Sequence, residues 1–179
     1  MTTTESTTTI DRTDVVAHDD APEAAPPNSR LLYQFDGAFE KIVPIGPVAD
    51  GFRLDGHFGG TLTAGELVGA RLTGVDYFRI RQDGVGVVTA HEIVDLGAVT
   101  IGVELHGFLL PPEGVVAPRP LDIVQPGFAW PSEPYTIHVS ATFETAAPDL
   151  EHLNCTVVAH TGTVDFAQGL LHVDAHVIG

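Results

Sequence analysis

Two residues that could exchange a proton stand on either side of a predicted hairpin turn. Asp83-Gly84, between two runs of alternating apolar residues, is typical of a two-residue type I′ turn, because such a turn needs positive φ. A two-residue turn here places Asp76 directly opposite His91. A carboxylate beside an imidazole fixes the tautomer of the ring and raises its pKa, so this pair is suited to general acid/base catalysis.

A second turn, at Leu96-Gly97, adds polar and aromatic side chains to the same sheet face. Because side chains alternate along a strand, Glu104 comes opposite Thr89 on the face that carries His91. We therefore predict Asp76, His91 and Glu104 as catalytic residues. The predicted substrate-binding residues of this face are Phe78, Thr89, His106 and Phe108. In the alternative interpretation the face meets solvent, and Asp76 and His91 form an ordinary surface ion pair.

The elements that position these residues alternate apolar and polar side chains. They are rich in Val, Ile, Thr, Phe and Tyr and are separated by Gly, Asp and Pro, which is typical of strands joined by turns. One helical turn is expected at 150–154. The predicted strands are 31–40, 52–63, 75–82, 86–94, 99–109, 135–144, 153–161 and 170–178. This pattern predicts an all-β fold, a small antiparallel β-barrel of about eight or more strands.

The segment 111–134 interrupts this pattern of strands. It is rich in proline and contains the only tryptophan, Trp130. Long loops in compact domains are often lids or binding loops, so Trp130 is a predicted substrate-binding residue. In the alternative interpretation the segment is a rigid connection, and Trp130 plugs one end of the barrel.

Other histidines lie in strand patterns that bear on metal binding. His172, Asp174 and His176 alternate on one strand face, a spacing at which two histidines can chelate zinc. The intervening residues are apolar, so a plain amphipathic strand explains the pattern, and neither a metal nor a cofactor is predicted. His138 and His160 also alternate with apolar residues and are expected on the exterior of the barrel.

The N-terminal residues differ from the rest of the chain in composition. Residues 1–30 are rich in Thr, Asp, Glu, Ala and Pro and have no apolar periodicity, so they bury too little surface to offset the entropy of ordering. We expect a disordered tail over 1–30 and one barrel domain over 31–179. The sequence shows neither a secretory signal nor an apolar run of membrane-spanning length, so a cytoplasmic location is expected.

The charge of the chain restricts its partners. It carries 24 acidic residues against 8 Lys and Arg, a formal net charge of −16. Nucleic-acid binding needs clustered cations, and anionic membranes repel acidic surfaces, so neither partner is expected. The chain has one cysteine, which excludes an internal disulfide.

Several short motifs occur in an order that resembles a known family. They are Gly74-Val75-Asp76, Asp83-Gly84, Ala90-His91, the stretch 101–107, Phe143-Glu144-Thr145, Pro148 and the stretch 152–157. Together they are similar to the bacterial and fungal barrel family called domain of unknown function 3237, over residue 31 to the C-terminus. The resemblance implies an antiparallel barrel, self-association and a functional pocket containing Asp76. The family has an arginine at the position of His91.

These observations lead to one functional expectation and one alternative. The expected function is a cofactor-free isomerase, cyclase or lyase that acts on a carbonyl or polyketide-like compound by acid/base chemistry inside the barrel. The alternative is a non-catalytic barrel that binds or carries a ligand. In either case the expected partners are a small organic molecule and further copies of the chain.

Overall fold

Eight antiparallel strands close into a barrel in the computed structural model, which describes residues 29–178. Each strand pairs with the next along the chain, and the first pairs with the last. The strands are β1 (Arg30–Val48), β2 (Gly51–Gly65), β3 (Arg71–Ile80), β4 (Gly86–Asp95), β5 (Thr100–Leu110), β6 (Tyr135–Glu144), β7 (Val158–Asp165) and β8 (Leu170–Val177). The predicted all-β barrel is confirmed. Residues 1–28 of the expected tail lie outside the described range.

The strand limits depart most from the prediction at three places, the first being β3, which runs over 71–80 and not over 75–82. β1 continues to Val48, beyond the predicted end at residue 40, because it forms a long hairpin with β2. The predicted strand 153–161 is wrong at its start, where Pro148–Cys155 forms a 3-10 helix that includes the expected helical turn. β7 therefore begins only at Val158.

The hairpin loop between β3 and β4, closed by a hydrogen bond between Arg81 and Val85, has three residues, Gln82-Asp83-Gly84, where two were predicted. The backbone N–H of Arg81 donates to the carbonyl of Val85 at 2.9 Å, and that of Gly84 donates to the carbonyl of Arg81 at 3.1 Å. Gly84 has a φ of +81°. The loop is thus a four-residue β-turn over 81–84 that ends on a left-handed glycine, as in the common three-residue hairpin connection.

The loop length decides which β4 side chains point into the barrel. Asp76 pairs with Ala90, so the predicted pairing of Asp76 with His91 is wrong. Because alternate residues of a strand face opposite sides of a sheet, a shift of one position exchanges the two faces. Ala90 consequently joins Asp76 in the interior, while His91 is exposed on the outer face.

Both ends of the barrel are filled by apolar side chains. At one end, fully buried aliphatic residues include Leu32, Leu62, Val94, Leu153 and Val158. At the other end, Phe166 lies in the β7–β8 turn at the centre of an aromatic cluster. Its ring lies 4.6 Å from Trp130, 5.3 Å from Tyr135, 5.4 Å from Phe78 and 5.9 Å from Phe39, centroid to centroid. These contacts support the alternative interpretation of Trp130 as a plug.

The proline-rich connection crosses this aromatic end and holds one short helix, α1 (Pro120–Ile123). Trp130 also contacts Phe128 within the connection, with ring centroids 5.1 Å apart. Within residues 29–178, no helix is long and apolar enough to cross a membrane.

Candidate functional site

The barrel encloses a small cavity whose walls are mostly apolar. Four of its lining residues are polar, namely Tyr33, Asp76, Glu92 and His160, and the others are aliphatic or aromatic. The centre of a water molecule can reach about 50 Å³ of this space. A buried water needs roughly 10–15 Å³ by the same measure, so the cavity suits a few waters or one small organic molecule.

Asp76 reaches the cavity from β3, opposite Gly56 of β2 and Ala90 of β4. The residue as a whole is half-buried, but its Oδ1 atom is fully enclosed and has no hydrogen-bond partner in the protein. Burial raises the pKa of Asp76 to about 7, although the backbone N–H of Thr89 lowers it in part and the charge of Asp55 raises it further. A carboxyl group in this state can gain or lose a proton near neutral pH.

The Thr89 amide is available to Asp76 because the β3–β4 pairing is interrupted there. Paired residues run to Asp76↔Ala90 and resume at Arg79↔Val87. The gap frees backbone groups from the ladder at the point where the Asp76 side chain enters the barrel. The carboxyl therefore has one backbone donor on one side and the open cavity on the other.

Glu92 is the second buried acid, and only 7% of its surface is exposed. It lies opposite Gly74 of β3 and Val103 of β5, and its Oε2 atom has no hydrogen-bond partner in the protein. Burial raises the pKa of Glu92 to about 8, and the nearby charge of Asp76 contributes in the same direction. Glu92 is accordingly protonated at neutral pH.

Small residues make room for both acids. Asp76 and Glu92 occupy diagonal corners of a four-residue block on the inner face, and Ala90 and Gly74 occupy the other corners. A Cβ atom on Gly74 would lie 2.9 Å from Cγ of Glu92 and 2.8 Å from Cζ of Phe58. Glycine at position 74 is thus required by the way Glu92 and Phe58 pack against its backbone.

Tyr33 of β1 and His160 of β7 also line the cavity, where they form a neutral pair. The Tyr33 hydroxyl lies 3.0 Å from Nε2 of His160, and the rings meet edge to face with centroids 5.5 Å apart. Burial lowers the pKa of His160 to about 3, so its ring is uncharged at neutral pH. Burial raises the pKa of Tyr33 well above its ordinary value, and Glu92 adds to this, so the hydroxyl keeps its proton.

Most residues predicted for the site lie on the outside of the barrel. His91 pairs with Glu104 and Thr89 pairs with His106, so these four share one face as predicted, but it is the outer face. Their expected interior position is wrong, because the third loop residue reversed the faces of β4 and, through it, β5. A catalytic role for His91 or Glu104 stays a prediction.

The remaining predicted residues divide between the exterior and the aromatic end. Phe108 is 46% exposed on the outer face. Phe78 points inward but contacts Phe166, and Trp130 stacks on the same ring, so neither of these two lines the cavity with the acids. Of the predicted site residues, Asp76 is the one that lines the cavity.

Three interior polar residues, Glu92, Tyr33 and His160, were missed from the sequence. The inward residues of β4 are Val88, Ala90, Glu92 and Val94. A single acid in an otherwise apolar row is the sequence feature that could have identified Glu92. The expected exterior position of His160 is wrong, since it is 3% exposed.

Of the two histidines of β8, His172 is engaged with a neighbouring side chain, whereas Nδ1 of His176 is buried without a hydrogen-bond partner in the described part of the chain. Nδ1 of His172 lies 2.7 Å from Oδ1 of Asp36, and Nε2 of Gln34 donates to Oδ1 of Asp174 at 2.8 Å. Among residues 29–178, no group of three or more His, Cys, Asp or Glu side chains could hold a metal ion. The absence of a metal and of a cofactor stays a prediction.

Comparisons with known proteins identify the fold alone. No family model and no curated protein matches the chain, so membership of domain of unknown function 3237 stays a prediction. Solved structures of similar fold include three bacterial proteins. A protein of unknown function from Clostridium acetobutylicum is 18% identical with a TM-score of 0.67, and the match covers 85% of this chain and 99% of that one.

The second is a conserved protein of unknown function from Rhodopseudomonas palustris, 16% identical with a TM-score of 0.61, covering 83% of this chain and 95% of that one. The third is a β-barrel-like protein from Acinetobacter baumannii, 19% identical with a TM-score of 0.66, covering 88% of this chain and 100% of that one. This chain is therefore similar in fold to bacterial barrels, two of them described as having unknown function.

Proposed function

We propose that the barrel interior binds a small uncharged carbonyl compound and catalyses proton transfer on it without a cofactor, as an isomerase, cyclase or lyase does. The observation that carries this proposal is the pair of enclosed, unpartnered carboxyl oxygens of Asp76 and Glu92 in an apolar cavity. A buried polar atom without a partner costs roughly 1–3 kcal/mol, so a ligand that supplies one is stabilised.

The two acids suit opposite roles in such a reaction. Burial raises the pKa of Asp76 to about 7, so a substantial fraction is ionised at neutral pH and can accept a proton from a carbon next to a carbonyl. Burial raises the pKa of Glu92 to about 8, so it keeps its proton and can donate a hydrogen bond to the carbonyl oxygen as that oxygen becomes negative. In a substrate with a β,γ double bond the enolate is extended to the γ-carbon, and returning the proton there would complete an isomerisation.

The surroundings of the acids restrict the substrate. No Lys or Arg lines the cavity, and its one histidine, His160, is neutral, so a bound carboxylate or phosphate would find no counter-charge. The small volume favours a compact carbonyl compound over an extended polyketide.

Exchange of α-protons for deuterium tests this proposal directly. The protein is incubated with methyl propyl ketone in D₂O, and the loss of α-proton signals is followed by NMR. The wild-type protein should exceed the rate in buffer, Asp76→Asn should abolish the excess, and Glu92→Gln should reduce it. Glu144→Gln, at an exposed outward position of β6, is the matched control and should exchange like wild type.

The variants also separate the competing functions. A wild-type rate equal to that in buffer, or full activity in a folded Asp76→Asn variant, contradicts the enzymatic proposal. Binding of the ketone without exchange would support a non-catalytic carrier, because the enclosed cavity serves either purpose. Self-association, the cytoplasmic location and the lack of nucleic-acid or membrane partners remain predictions.

A further inference from the structure

The two acids are placed so that one small molecule can touch both. Asp76 pairs with Ala90 and Gly74 pairs with Glu92, which makes the acids diagonal neighbours on the inner face. Diagonal neighbours in antiparallel strands have Cα atoms roughly 7–8 Å apart. The methyl group of Ala90 lies between them and lines the cavity, while Phe58 and Cγ of Glu92 cover the backbone of Gly74, so only the floor over Ala90 is open.

Each acid offers the same chemistry to a molecule lying on that floor. A protonated carboxyl group has one hydrogen to donate and an oxygen to accept. Oδ1 of Asp76 and Oε2 of Glu92 have no partner in the protein. The polar pair Tyr33 and His160 is different, because these two side chains already satisfy each other at 3.0 Å. The cavity thus presents two carboxyl groups with open hydrogen-bonding capacity.

Other ligand charges fit less well. An anion would meet no Lys or Arg in the cavity wall. An ammonium group could donate to the carboxyl oxygens, but it has no acceptor for the proton of Glu92, and moving its charge into an apolar cavity is costly. An uncharged molecule with two acceptors satisfies both acids without burying a charge.

We propose that the ligand of this cavity is an uncharged compound with two hydrogen-bond acceptors a few bonds apart, such as a β-dicarbonyl, lying over Ala90 and beside the ring of Phe58. It accepts one hydrogen bond from Asp76 and one from Glu92. Ala90 is the residue that determines which molecules fit, because any larger side chain there would occupy the space between the acids. This inference rests on the site of the proposed function and names its ligand class, but it does not require turnover.

The test compares three probes of similar size by isothermal titration calorimetry at about pH 6, where both carboxyl groups are protonated. Acetylacetone has two acceptors and no charge, methyl propyl ketone has one acceptor, and acetoacetate has two carbonyl groups and a negative charge. The wild-type protein should bind acetylacetone about tenfold more tightly than methyl propyl ketone, the effect of one added hydrogen bond. Acetoacetate should show no binding.

Glu92→Leu is the decisive variant. Replacing an unpartnered buried acid with an apolar side chain of similar size is neutral or stabilising, so this variant should fold. It should still bind methyl propyl ketone through Asp76, but the ratio of its affinities for acetylacetone and methyl propyl ketone should fall to about one. Ala90→Val should weaken all binding with both acids present. Ala159→Val, the same change at an outward position of β7, should bind like wild type.

Three results would overturn this inference. They are equal affinity of wild type for the two ketones, an acetylacetone preference that survives in Glu92→Leu, and no binding of any probe. The proposed function is judged separately, because Asp76-dependent exchange of methyl propyl ketone would stand even if the preference for two acceptors did not exist. Conversely, a preference for acetylacetone that depends on Glu92, without exchange of α-protons, supports this ligand class in a barrel that only carries its ligand.

Discussion

Glu92 should make the stability of the barrel depend on pH in a direction opposite to that of most carboxyl groups. Its pKa is raised from an ordinary value of 4.5 to about 8, first by burial and then by the charge of Asp76. Below pH 4.5 the group is protonated in both the folded and the unfolded chain and has no differential effect. As pH rises from there to about 8, the unfolded chain ionises while the folded one holds its proton, so stability is lost.

The size of this loss follows from the two pKa values. Each pH unit between them removes about 1.4 kcal/mol of unfolding free energy. At pH 7 the interval is 7 − 4.5 = 2.5 pH units, which corresponds to about 3 kcal/mol as an upper bound. Tyr33, Asp76 and His160 are the titratable groups that line the cavity with Glu92, and Asp76 should add a slope of the same sign, since burial raises its pKa to about 7.

Urea denaturation at a series of pH values between about 4.5 and 8.5 measures the effect. Glu92→Gln should resemble wild type in stability at the acidic end and exceed it by up to about 3 kcal/mol at pH 7. Glu104→Gln is the matched control, because Glu104 is exposed on the outer face, and it should change stability by less than about 0.5 kcal/mol. Parallel pH profiles for wild type and Glu92→Gln would refute the interior position of this acid.

Three further predictions concern the packing and assembly of the barrel. Tyr33→Phe should cost about 1–3 kcal/mol in urea denaturation, because Nε2 of His160 loses its partner; a smaller loss than about 0.5 kcal/mol would mean that the pair is not formed. Trp130→Ala should lower the melting temperature by removing the stack on Phe166, with a cost of about 1–3 kcal/mol, and an unchanged melting temperature would contradict its role as a plug. Light scattering at concentrations well above micromolar should give the mass of a dimer or larger assembly, and a monomer mass would refute self-association.

The architecture could be predicted because it depends on a signal that repeats along the whole chain. Alternation of apolar and polar residues is a local property, and eight segments with this property, joined by turn residues, leave few alternatives to a barrel or sandwich. Errors of a few residues, as at the end of β1 and the start of β7, did not alter the fold.

The site could be predicted only in part because it depends on register. Asp83-Gly84 marks a turn in the sequence, but Gln82 gives no sign of whether it belongs to the strand or to the loop. Adding it to the loop exchanges the faces of β4, which replaces His91 by Glu92 as the interior partner of Asp76. Identifying the interior acids therefore required the pairing of the strands.

The three-residue loop before β4 has a consequence for how relatives of this chain could diverge. In a closed barrel each strand pairs with a neighbour on both sides. Deleting one loop residue would therefore exchange the inner and outer faces of β4, unless a β-bulge elsewhere restored the register. Length variation at 82–84 should therefore be strongly disfavoured during evolution. The connection between β5 and β6 carries no such constraint, since it spans many residues outside the sheet. Insertions and deletions should accumulate there, and lineages should differ mainly in how they cover the aromatic end of the barrel.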